Sequence, residues 1–77
     1  MNKGGNVSKL TVLSAAGDFS KDFTPEAYTE AEETFKELVG SKGYFAYDVD
    51  ETGQAKITRD FNPNAQEVVL VPRMVGG

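Results

Sequence analysis

In residues 9–13, Leu10 and Val12 alternate with Lys9 and Thr11, and this period of two predicts a strand. Ala15, Ala16, Gly17 and Asp18 follow with turn chemistry, since glycine tolerates positive φ and aspartate can bond its own backbone. Phe19, Lys21 and Phe23 then share one side, which predicts a second strand completing a hairpin. From there the period lengthens. Ala27, Ala31, Phe35, Leu38 and Val39 recur at helical spacing as one apolar stripe, with Glu30, Glu32, Glu33 and Lys36 on the other side. Thr24 can cap orphan amides, Pro25 suits the first helical position and Glu26 meets the positive end of the dipole, so the helix is predicted to start there. Gly40 and Gly43 supply its stop.

After Gly43 the period of two returns. Phe45, Tyr47 and Val49 alternate with Ala46 and Asp48, Asp50-Glu51-Thr52-Gly53 forms a turn, and Ala55, Ile57, Arg59 and Phe61 alternate along the returning strand. Asn62, Pro63 and Asn64 break it. Val68, Val69, Leu70 and Val71 are apolar on both faces, the mark of an interior strand covered on both sides or nearly so. Pro72 has no amide to donate and ends the pairing.

The predicted order is therefore strand, strand, helix, strand, strand, strand. No second helix exists to cover the apolar stripe, so the helix must lie on a sheet face. The last strand is the most apolar and should be central, beside the first and parallel to it. That arrangement is an α+β fold of the β-grasp (ubiquitin-like) type: a mixed sheet of four to five strands with one helix packed on one face. A plain four- or five-stranded meander with a helix is the alternative. The expected organisation is a flexible lead-in over residues 1–6, one domain over 7–72, and an extended tail over 73–77. A chain of 77 residues has room for one core.

Composition narrows the chemistry. The chain has no Cys and no His, which removes thiol nucleophiles, thiolate metal sites, and Ser-His-Asp or Cys-His catalysis. Independent enzymatic activity, a resident metal and a cofactor are not expected. Twelve acidic residues against eight scattered basic ones give a net charge of −4, which argues against nucleic acid as a partner. The longest apolar run, residues 68–71, is far short of the ~20 residues that span a bilayer, and residues 1–6 carry no hydrophobic signal segment. A monomer in the cytoplasm, with no membrane association, is the expectation. Asp48, Asp50 and Gly53 imitate the start of a calcium loop, but the twelfth position counted from Asp48 is Arg59 rather than a bidentate Glu. The acidic residues of the helix form a solvated face rather than a catalytic pair. Tyr28, Tyr44 and Tyr47 lie at helix and strand spacing, which suits core or rim packing.

The chain ends Val68-Val69-Leu70-Val71-Pro72-Arg73-Met74-Val75-Gly76-Gly77. An apolar strand, a proline, a few small or apolar residues and then Gly-Gly resembles the ubiquitin-like sulfur carriers and modifiers: the small subunit of molybdopterin synthase, the thiamine-pathway carrier and the archaeal small modifiers. The resemblance covers the C-terminal half well and the N-terminal half by element order. It departs from the family where the Asp-Gly-Asp turn is missing, where Arg73 replaces a second proline, and in a longer helix segment.

The resemblance implies that Gly77 is the reacting residue and Gly76 its necessary neighbour. An ATP-dependent activating (adenylating) enzyme would be the obligatory partner, with an acceptor protein or biosynthetic enzyme downstream. Adenylation of the carboxylate would lead to a thiocarboxylate, a thioester or an isopeptide bond. Glycine lacks a side chain, so such a tail can thread a narrow channel. Arg73, Met74 and Val75 are then expected to touch the partner. The alternative is a non-covalent interaction module of the same fold with a dispensable tail.

Overall fold

Each alternating segment forms a strand, and the strands join in one mixed sheet. The computed structural model describes residues 7–14 and 17–73. They contain β1 (Ser8–Val12), β2 (Phe19–Phe23), α1 (Thr29–Lys36), a π-helical turn (Glu37–Ser41), β3 (Phe45–Val49), β4 (Ala55–Thr58) and β5 (Glu67–Val71). The sheet order is β2-β1-β5-β3-β4, an α+β arrangement with one helix. β5 pairs parallel with β1, Leu10 opposite Val68, and antiparallel with β3, Ala46 opposite Leu70. β5 therefore enters between the two hairpins, and this order is not that of a meander.

Residues directly opposite in a ladder share a face. Leu10, Val12, Phe23, Ala46, Val68 and Leu70 thus point to one side, where they meet Ala31 and Phe35 of α1 in the buried core. Phe61 completes the core from the loop after β4. Its ring lies 5.1 Å from Phe23, 5.6 Å from Phe35 and 5.7 Å from Tyr28. At such distances aromatic pairs add to area burial alone.

Four expectations need correction. First, α1 starts at Thr29 rather than at residues 24–26. Thr24 does satisfy an amide, that of Ala27 through its Oγ1 at 3.0 Å, but it does so in a turn. The Thr24 and Ala27 backbones bond each other reciprocally, which closes residues 24–27 with Pro25 second in the turn, a favoured place for proline. Ala27 is accordingly exposed and leaves the stripe. Anchored Phe23 must be followed by a reversal before the helix can return across the sheet, and the turn supplies it.

Second, the α-helix ends at Lys36 and continues as a π-helical turn. One wider turn lets Leu38 and Val39 both pack against the core. The Leu38 carbonyl accepts the amides of Lys42 (3.1 Å) and Tyr44 (3.0 Å), and Gly43 between them has φ +73, where a side chain would be strained. Gly43 is the stop that the sequence predicts, whereas Gly40 lies inside the π turn. Third, β4 ends at Thr58, so Arg59 and Phe61 lie beyond it and Phe61 turns inward.

Fourth, among the described residues β5 is covered by a second layer on one face only. Val68 and Leu70 are buried, but Val69 and Val71 are half-buried on the side away from the helix. They are joined there by Phe45, Tyr47 and Val49 of β3 and by Ile57 of β4. A central strand is apolar on both sides here because its second face is shielded by neighbours in the sheet, not by another layer.

A buried polar contact ties β1 to the segment before β5: the Ser8 hydroxyl donates to the Ala65 carbonyl at 2.6 Å. Ser8→Ala removes this donor from a buried acceptor and is expected to cost about 1–3 kcal/mol in thermal or denaturant unfolding, while Ser8→Thr keeps the hydroxyl and recovers most of it.

Candidate functional site

The expected site lies at the end of β5. Met74, Val75, Gly76 and Gly77 fall outside the described residues. Arg73 is described and exposed, and Pro72 beside it is half-buried. The register defines their surroundings. Val71 is opposite Phe45, the first residue of β3, and Ala46 is opposite Thr58, the last of β4. The chain therefore leaves the sheet where β3 begins and β4 ends, next to Gly43 and Arg59. By the same parallel register, β1 begins at the opposite end, with Lys9 beside Glu67.

At the exit end lies a cleft of about 550 Å³. The π turn contributes Val39, β3 and the residue before it contribute Phe45 and Tyr44, β4 and the residue after it contribute Ile57 and Arg59, and the segment past β5 contributes Arg73. Phe45 is 43% and Ile57 63% exposed, an unusual presentation of large apolar side chains so close together. Arg73 Cδ stands 3.8 Å from where a Cβ on Gly43 would be, so the arginine stem runs over the bare turn in ordinary contact. Among the described residues the one ion pair is Lys36–Glu32 on the helix, at 3.7 Å. Neither guanidinium group of the cleft has a carboxylate partner among the described residues.

Of the residues the sequence nominated, Arg73 alone can be located. Arg59, Tyr44, Phe45 and Ile57 were not nominated. Nothing in their local pattern marks them, because only the long-range pairings Phe45–Val71 and Ala46–Thr58 bring them beside Arg73.

The acidic segment with calcium-like spacing forms the β3–β4 turn. Asp50 Oδ1 accepts the Thr52 hydroxyl (2.6 Å) and the amides of Thr52 (2.9 Å) and Gln54 (3.0 Å), and Gly53 takes φ +87. The Thr52 hydroxyl first, then the Gln54 amide, hold the Asp50 carboxyl below the ordinary aspartate range. Because the folded value is depressed, the contribution of Asp50 is complete above the ordinary range and fades as pH falls through the folded value. Asp50→Ala is expected to speed hydrogen exchange at the Thr52 and Gln54 amides near neutral pH. The difference from the parent should vanish once Asp50 is protonated.

No helix among the described residues is long and apolar enough to cross a membrane. No protein-family model, curated protein or solved structure matches the chain.

Proposed function

We propose that this chain is a ubiquitin-like carrier or modifier of β-grasp fold, activated at the carboxylate of Gly77 and having no catalytic site of its own. The observation that supports the reading is the place of β5: it is the middle strand, bonded on both sides by β1 and β3, and Pro72 follows it directly. A segment that issues from the most firmly held strand presents its far end from a rigid base, which is what an enzyme reaching for a carboxylate requires.

In the proposed reaction the Gly77 carboxylate attacks the α-phosphorus of ATP, pyrophosphate leaves, and an acyl-adenylate forms on the partner enzyme. A sulfur or amine nucleophile then attacks the acyl carbon and AMP leaves, giving a thiocarboxylate, a thioester or an isopeptide. The chain acts in the cytoplasm as a monomer until it meets that enzyme. Incubating the whole chain with ATP and a panel of adenylating enzymes should release pyrophosphate and yield the acyl product by intact mass. A panel that leaves the mass unchanged would remove the proposal.

A second reading is favoured by one specific observation, the apolar side of the sheet away from the helix. Phe45 and Ile57 are exposed there, beside half-buried Tyr47, Val69 and Val71. A non-covalent docking module would use such a surface and would keep its binding after loss of Gly76 and Gly77.

A further inference from the structure

The cleft at the exit end of the sheet combines two features. Its walls are apolar, formed by Val39, Tyr44, Phe45 and Ile57, and its cations are Arg59 and Arg73. Acidic residues outnumber basic ones twelve to eight in this chain, yet neither arginine has a carboxylate within ion-pair distance among the described residues.

We propose that this cleft is a docking site for an acidic segment of a partner protein in which carboxylates are interspersed with large apolar side chains. Arg59 and Arg73 grip the carboxylates, since a guanidinium fork matches a carboxylate with two parallel hydrogen bonds. The apolar side chain rests against Tyr44, Phe45 and Ile57, which removes the exposed part of these residues from water. A small inorganic anion would leave that wall uncovered. A nucleic acid would meet the repulsion of the net negative charge over a much longer contact. The site is complete within the described residues, so it stands whether or not Gly77 is activated.

The backbone fits this use. A π-helical turn is rare and frequently marks a functional position. Here it places Val39 on the cleft wall, and Gly43, two residues past its end, is the bare position over which the Arg73 stem lies.

The test uses the full chain labelled with ¹⁵N and a blocked synthetic peptide of alternating Glu and Leu, with a Lys and Leu peptide as its counterpart. The Glu peptide should shift the Tyr44, Phe45, Arg59 and Arg73 resonances, and its affinity should fall with added salt. The double variant Arg59→Glu/Arg73→Glu should bind it about tenfold or more weakly, the scale of losing charge-assisted bonds. Lys36→Glu, on the exposed helix face, should bind as the parent does.

The proposal would be overturned by equal binding of the Lys peptide, full affinity in the double variant of intact fold, shifts confined to the rest of the sheet, or no shift at millimolar peptide. Inorganic phosphate that bound as tightly as the Glu peptide would overturn it too, in favour of a small-anion site.

Discussion

Replacing Phe35 with Ala is expected to strip the chain of most of its stability, leaving it marginally folded at ambient temperature. Phe35 is the largest of the fully buried side chains, held between the sheet and the ring of Phe61 at 5.6 Å. Truncating such a residue costs about 3–5 kcal/mol, combining lost transfer energy with the cavity left behind. A domain of this length has total stability on the order of 5 kcal/mol, because it buries a small share of its surface and gains nothing from disulfides. One substitution therefore consumes most of it. Far-UV circular dichroism during denaturant titration measures the effect. Phe35→Leu, which keeps most of the volume, should lose far less. Equal loss in both variants would mean that shape at this site matters more than buried volume.

If the chain is a carrier as proposed, deleting Gly76 and Gly77 is expected to abolish its ATP-dependent activation altogether while leaving the thermal midpoint unchanged. The activation loss should be complete because the reacting carboxylate would move to Val75, whose branched side chain cannot follow glycine through a narrow channel. Stability should hold because the core is closed by Leu70 and the last ladder pair is Phe45–Val71, both upstream of the deletion. Pyrophosphate release and intact mass report the first half, and differential scanning calorimetry the second. If the shortened chain were activated as well as the parent, the carboxyl chemistry would have to be given up. Peptide binding at the Arg59–Arg73 cleft should survive the deletion, so the two ideas can fail separately.

Much of the architecture was legible along the chain. Period-two alternation located β1, β2 and β3 to within a residue, since side-chain alternation is a local property of extended backbone. The uniform apolarity of residues 68–71 pointed to a central last strand, and β5 lies between β1 and β3. The errors came where local chemistry serves two geometries. Thr24 and Pro25 suit a helix start and a tight turn equally well, and the anchoring of Phe23 decided for the turn. Phe61 continued the alternation of β4, but the aromatic contacts with Phe23, Tyr28 and Phe35 drew it out of the strand. The pairing of Arg59 with Arg73 at one cleft was out of reach, because it depends on two ladders whose registers no short window contains.

The insertion of β5 between the two hairpins also dictates an order of assembly. Without it, β1 and β2 share no ladder with β3 and β4. Contacts such as Ser8 with Ala65 span 57 positions, so they form only once the chain has been made past Ala65. During synthesis the halves must wait, each with an unpaired inner edge, until the final strand emerges and locks them like a keystone. Such non-local closure slows the search for the native state relative to helical proteins of equal size. The waiting interval is the period in which this protein is most exposed to aggregation.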